Sequence, residues 1–275
     1  MKQQNIGFIG GGNMAWSLIS GLLADGYEPA HIAVADVDAA RLELLKSRLG
    51  VTVAHDNVNV VAESEIVVLA VKPQVMRPVA TGIAAAVHDR QPLIVSIAAG
   101  VRVTDLATWL GGDAAIVRCM PNTPAQVRSG ATALYANERA SREQRNTAER
   151  ILRSVGLTVW VEEERLLDAV TALSGSGPAY FFLFMEAMER AAASCGLDAH
   201  VARLLTQQTA LGAAKIAMES AESPEELRRR VTSPGGTTEQ AIRVFEEGRF
   251  ADLVLEAIRA AERRSRELSE QFGGG

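Results

Sequence analysis

The chain of 275 residues has little of what most often announces a function. It holds only two cysteines, Cys119 and Cys195, far apart and without a disulfide framework. The opening MKQQNIGFIGGG lacks the charged-then-apolar layout of a secretory leader, so a reducing cytoplasm is the expected setting. No apolar run reaches the roughly 20 residues of a membrane span. Positive charge is not in excess: 28 Lys and Arg stand against 33 Asp and Glu, for a net charge of -5. That balance, without basic clusters, excludes nucleic acid and an anionic membrane as main partners. The four histidines, His31, His55, His88 and His200, stand apart with no ligand spacing, so no metal is expected. Aromatics make up only 5%. Low-complexity sequence is confined to the terminal glycines 273–275, read as a frayed tail.

What is present is an α/β pattern followed by an all-helical one. Short β-branched runs at 5–9, 32–35, 51–53, 66–70, 93–97 and 115–119 alternate with amphipathic stretches, as in βα units around a mainly parallel sheet. IVVLAV at Ile66–Val71 and LIVSIAA at Leu93–Ala99 are apolar on both faces, as strands covered by helices on both sides must be. Further strands are expected near 131–135 and 158–161. Past residue 163 the periodicity is helical only, with expected helices at 164–173, 178–194, 199–218, 224–231, 237–247 and 250–272. The expected division is therefore 1–163, a dinucleotide-binding domain, and 164–275, a helical one. The stretch PAYFFLFMEAM at Pro178–Met188 is apolar almost all round. It reads either as a buried core helix or as a helix buried between subunits.

Ile6–Ala15 reads IGFIGGGNMA, an apolar strand, a glycine turn and a helix start. In the pattern Gly10-x-Gly12-x-x-Ala15, Gly10 makes the tight turn and Gly12 leaves the backbone open to a pyrophosphate. Ala15 lets the helix lie close to the strand. The helix N-terminus then offers free N–H groups to the anion. Asp36 ends the second strand about 25 residues further on, where an acid would bind the adenosine ribose and favour NAD over NADP. Arg41, one helical turn later, can pair with a phosphate, and a cap role for Asp36 or Asp38 is also open. Cofactor choice therefore stays open. AVKPQ at Ala70–Gln74 follows the fourth strand, so Ala70, Val71, Lys72 and Pro73 face the cofactor crevice.

Three more segments are rich in small and polar residues: RCMPNTP at Arg118–Pro124, SGSGPAY at Ser174–Tyr180, and SPGGTT at Ser233–Thr238. In the last, Gly235 and Gly236 allow a concave set of N–H groups at a helix start, suited to a carboxylate. A plain turn capped by Thr237 or Thr238 fits the sequence equally well.

With AVKPQ and SIAAGV, these strings in this order and spacing resemble pyrroline-5-carboxylate reductase from Asn5 to about Leu268. The resemblance implies hydride transfer from the reduced form of NADP or NAD to the C=N of 1-pyrroline-5-carboxylate, giving L-proline, the last step of proline biosynthesis. It implies an N-terminal Rossmann-like domain and a C-terminal helical dimerisation domain, with homodimers that assemble further, commonly into decamers. Segments matching Gly10, Gly11, Gly12, Asn13 and Met14, and Asn57, Ala70 to Lys72, Ala98 and Ala99, would contact the cofactor, with Asn122 and Thr123 near the nicotinamide. Ser233, Pro234, Gly235, Gly236 and Thr237 would hold the substrate carboxylate, with the Thr238 hydroxyl aimed at the ring nitrogen. That loop would come from the partner subunit. Relatives often carry Ser, Asn or Arg where Asp36 stands, which puts the usual NADPH preference in doubt.

The chemistry agrees with that resemblance. A protonated imine accepts hydride readily, so positioning can replace a catalytic histidine or a metal. A hydroxyacid dehydrogenase of similar architecture needs a base, usually a lysine on the long helix, and Gly177–Met188 contains none. A nucleotide-sensing regulator would have no use for the SPGGTT turn.

Overall fold

The computed structural model describes residues 3–273. Among them eight strands form one sheet: β1 (Ile6–Ile9), β2 (Ile32–Ala35), β3 (Thr52–Ala54), β4 (Ile66–Leu69), β5 (Leu93–Ser96), β6 (Ile116–Met120), β7 (Gly130–Ala136) and β8 (Gly156–Trp160). Their order is β3-β2-β1-β4-β5-β6-β7-β8. Every expected strand is present within a residue or two of its expected ends. The first six strands run parallel in the order of a Rossmann fold, and the order reverses between β1 and β4. β7 runs antiparallel to β6, because only the tight 3-10 turn Thr123–Val127 lies between them and a parallel return needs a longer crossover. β8 is again parallel to β7.

Helices α1 (Asn13–Ala24), α2 (Ala39–Leu49), α3 (Asn57–Glu63), α4 (Met76–Arg90), α5 (Val103–Trp109) and α6 (Arg142–Arg153) connect these strands. Two apolar clusters result. One gathers Phe8, Leu18, Ile19, Ile32, Leu45 and Val95, the other Ile9, Val67, Leu69, Met76, Ile83 and Ile94. Alternate residues of β1 enter opposite clusters, Phe8 one and Ile9 the other, which explains why this strand is apolar throughout. The helix ends follow from local chemistry. Asp38 caps α2 by accepting from the Ala40 and Arg41 N–H groups, and Gly50 closes the same helix in the left-handed conformation. Ser141 and Gln144 form a reciprocal capping box on α6.

The rest is helical: α7 (Leu166–Val170), a π-helical turn at Thr171–Gly175, α8 (Gly177–Ser194), α9 (Ala199–Glu219), α10 (Pro224–Arg230), α11 (Thr237–Glu247) and α12 (Phe250–Gly273). By compactness the chain forms two units. One runs up to Ser176 and resumes from Ala260; the other is Gly177–Arg259. This cut differs from the expected 163/164, where the strand signal ends, because α7 packs on β7 and the last part of α12 belongs to the sheet unit. The expected helix 164–173 is α7 continued by the π turn. Of the expected frayed tail, Gly273 is the last residue of α12, and residues 274–275 lie outside the described residues. No helix among the described residues is long and apolar enough to cross a membrane.

Candidate functional site

Gly10 follows β1 directly and adopts φ +100°, and a Cβ there would come within 2.8 Å of the Ala70 carbonyl oxygen. Its N–H donates to Ala35 O at 2.7 Å, while the Ala70 N–H donates to Ile9 O at 2.8 Å. Hydrogen bonds thus join the carboxyl ends of β1, β2 and β4 at the reversal of strand order, where open parallel sheets bind their ligands.

Gly12 is the N-cap of α1, and no side chain caps this helix, so its first-turn N–H groups and the positive end of its dipole face outward. A Cβ on Gly12 would meet nothing nearer than Arg41 Nη1, at 3.8 Å. This open cradle with donors on its floor fits a pyrophosphate. Ala15, one turn into the helix, is fully buried, as close helix-to-strand packing requires.

Asp36 stands just past β2. Its Oδ2 accepts the Gly11 N–H at 2.6 Å and its Oδ1 the Asp38 N–H at 2.9 Å. The cap of α2 is therefore Asp38, not Asp36. Arg41 Nη1 donates to Gly11 O at 3.3 Å.

Around the same sheet edge, Val71 is half-buried and Lys72 is exposed at the start of the 3-10 turn Pro73–Val75. After β5, Ala98 is buried and Ala99 half-buried. Asn57 opens α3 behind the Asp56 cap and stands apart in sequence from the glycine turn.

Asn122 is buried with its amide engaged at both ends. Nδ2 donates to Ser174 O at 3.0 Å, and Oδ1 accepts the Ala131 N–H at 2.9 Å. It ties the end of β6 to the start of β7 and to the π turn, leaving Thr123 as the more exposed neighbour. Cys119, on β6, is fully buried, and burial pushes its thiol well above the ordinary range, which suits packing and not nucleophilic attack.

The Ser233–Thr238 turn lies in the helical unit. Gly235 adopts φ +72°, and the Gly236 N–H donates to Ser233 O at 3.0 Å. The N-cap of α11 is Gly236, with no side-chain cap. Neither Thr237 nor Thr238 caps the helix, as the plain-turn reading had it, because both already lie inside its first turn. An uncapped helix start is a ready anion site. One nearby donor is taken: the Glu239 carboxylate folds back to accept the Gly235 N–H at 2.8 Å.

Comparison with known proteins shows the family of the chain. A family model described as pyrroline-5-carboxylate reductase dimerisation matches residues 164–268, and one described as NADP oxidoreductase, coenzyme F420-dependent, matches residues 5–100. The curated pyrroline-5-carboxylate reductase of Pseudomonas aeruginosa is 50% identical over 273 residues, covering 99% of this chain and all of that protein. The chain belongs to the pyrroline-5-carboxylate reductase family. Among solved structures, the Coxiella burnetii pyrroline-5-carboxylate reductase has a TM-score of 0.93 at 47% identity, covering 98% of this chain and 99% of that one. The Plasmodium falciparum pyrroline carboxylate reductase, solved with NADP bound, has a TM-score of 0.87 at 26% identity, covering 98% and 99%.

The sheet unit of this family member also holds buried polar pairs that join residues far apart in the sequence. Arg118, buried on β6, forms a 2.8 Å ion pair with Glu164, whose same oxygen accepts the Val103 N–H at 2.8 Å. Asp168, buried on α7, accepts the Ser265 hydroxyl at 2.7 Å. The dimerisation match bears on Pro178–Met188 as well. Phe181, Phe182 and Leu183 are exposed on the single chain, so α8 is not a helix buried within one chain.

Proposed function

We infer that the protein reduces the ring C=N of 1-pyrroline-5-carboxylate to L-proline, using a reduced nicotinamide dinucleotide, NADPH or NADH. One observation carries the reading: proteins of that name match the chain from end to end at up to 50% identity. The open cradle at Gly10, Gly11 and Gly12 and the uncapped start of α11 support it. When bound, the dinucleotide supplies a hydride.

The rest falls to this chain's own residues. The N–H groups at the start of α1, with Gly10 to Met14, bind a pyrophosphate. Asp36 receives the adenosine ribose, and Ala70 to Pro73, Asn57, Ala98, Ala99 and Thr123 line the dinucleotide. Asn122 acts through the backbone it holds. In the helical part, Ser233 to Thr237 present N–H groups to the substrate carboxylate, at the positive end of α11. The Thr238 hydroxyl hydrogen-bonds the ring nitrogen and orients the ring for attack at the adjacent carbon. The nitrogen is already protonated when hydride arrives. The carbon gains the hydride, the C=N π pair becomes the amine lone pair, and no side chain need deliver a strong acid.

The turn of one subunit completes the site of its partner, so the active species is a homodimer with shared sites, assembling further into a decamer in the cytoplasm. Residues 1–163 serve as the dinucleotide domain and 164–275 as the dimerisation and substrate domain. The test mixes purified protein with pyrroline-5-carboxylate and either NADH or NADPH, following nicotinamide absorbance. Oxidation that requires the pyrroline is the expected result. Binding of both dinucleotides without pyrroline-dependent oxidation would overturn the substrate assignment.

A further inference from the structure

Asp36 is held rigidly. Two main-chain N–H groups, those of Gly11 and Asp38, each take one of its carboxylate oxygens, so the group is fixed at the end of β2. An ionised carboxylate has only acceptor lone pairs left to offer. It suits a ribose carrying two free hydroxyls, which are donors. A 2′-phosphate offers acceptor oxygens only and about two negative charges, so it meets a like charge that cannot turn away. Asp38, exposed two residues on, adds a second negative charge to the same turn.

The nearby cation points elsewhere. The Arg41 guanidinium donates to Gly11 O and lies 3.8 Å from where a Cβ on Gly12 would stand, over the open glycine cradle. Its backbone is fixed too, with the N–H on Asp38 Oδ1 at 3.2 Å. Arg41 is therefore placed to meet the pyrophosphate that NADH and NADPH share.

We propose that the protein prefers NADH to NADPH, with Asp36 selecting the free adenosine ribose and Arg41 serving the pyrophosphate of either dinucleotide. This rests on the cradle being a nicotinamide dinucleotide site, and it holds independently of which imine is reduced.

Calorimetry on the full-length protein tests it with four ligands: NADH, NADPH, ADP-ribose and 2′-phospho-ADP-ribose, the last two unable to transfer hydride. The wild-type protein is expected to bind each unphosphorylated ligand at least about tenfold tighter than its phosphorylated partner, roughly 1.4 kcal/mol. In Asp36→Asn, where an amide oxygen can still accept the Gly11 N–H, the ratio should shrink to about threefold or less, with the phosphorylated ligands binding tighter than before. In Arg41→Gln all four ligands should weaken by a similar factor, leaving the ratio unchanged. Equal or tighter wild-type binding of NADPH overturns the proposal. So does a ratio unmoved in Asp36→Asn, or a selective loss of the phosphorylated ligands in Arg41→Gln. If neither dinucleotide binds, both this inference and the reductase reading fall. If the ratio stands while pyrroline is not reduced, only the substrate reading fails.

Discussion

In the sheet unit the large apolar side chains of Phe8, Ile32, Leu69 and Ile94 are shut away from solvent, whereas in the helical unit Phe181, Leu211 and Met218 stand 69%, 62% and 85% exposed. Layers of helix on both faces of a parallel sheet close a core from one chain alone. In Gly177–Arg259, helices apolar on more than one side have no such cover, and the unit resembles a core cut open. On α9, Leu204, Leu211 and Met218 recur every seven residues as one exposed stripe, the spacing of a face that packs against another helix. The sheet unit is thus complete in one copy and the helical unit is half of something, in line with the dimerisation family that matches it. An exposed apolar residue in one unit and a buried one in the other therefore serve different ends: association and folding.

Charge placed on the stripe should break this contrast most sharply. Leu211→Glu is expected to weaken self-association at least about a thousandfold, roughly 4 kcal/mol, with activity lost alongside; light scattering against protein concentration measures it. An unchanged assembly would mean that the stripe is covered in some other way. Leu69→Ala should do the reverse, lowering folding stability by about 2–5 kcal/mol in denaturant titrations while the folded protein keeps its assembly.

Thr238→Ala separates chemistry from both. We expect kcat/KM to fall by one to three orders of magnitude, roughly 1–4 kcal/mol, with the thermal midpoint nearly unmoved. Unaltered kinetics would take Thr238 out of the mechanism. On the sheet side, Asn122→Ala strands the Ala131 N–H and the Ser174 carbonyl, so stability should drop first, by about 2 kcal/mol, seen as a lowered Tm.

The smallest effect concerns Glu149 on α6. Hydrogen bonding from Trp160, assisted by Arg153 and Thr158, holds its carboxyl below the ordinary value. A depressed folded pKa means stability present above the ordinary carboxylate range and lost as pH falls through the folded value. Glu149→Gln should therefore flatten the acid side of the stability curve slightly; an unaltered curve would count against this contact.

Much of the sheet unit could be read directly from sequence, because a strand buried on both faces is an uninterrupted apolar run, as in Ile66–Leu69. Asp36 was equally legible, its place set by its distance from Gly10. The direction of β7 was not, since it depends on the length of a turn and not on the strand's own residues. The cap of α11 stayed open in the sequence because threonine is a common cap and Gly235 and Gly236 leave the turn free to form either way; the structure puts the N-cap at Gly236. The pairs Arg118–Glu164 and Asp168–Ser265 join residues 46 and 97 apart, and no local pattern announces such partners. The π turn escaped for a similar reason: Thr171 and Ser174 bond back to Leu167 and Val170 carbonyls, so the segment looks helical in composition while its backbone is widened.

The return of α12 to the sheet unit fixes the order in which the protein can be completed. Ser265 and Ser269, both buried, and Phe272, whose ring would lie 3.3 Å from a Cβ on Gly100, leave the ribosome only after all of Gly177–Arg259 has been made. Until then Asp168 lacks its hydroxyl partner and the Gly100 turn lacks its cover. The helical unit, with its open apolar face, is synthesised in full before the unit that precedes it can close. A nascent chain halted at Arg259 would thus expose two unfinished surfaces at once.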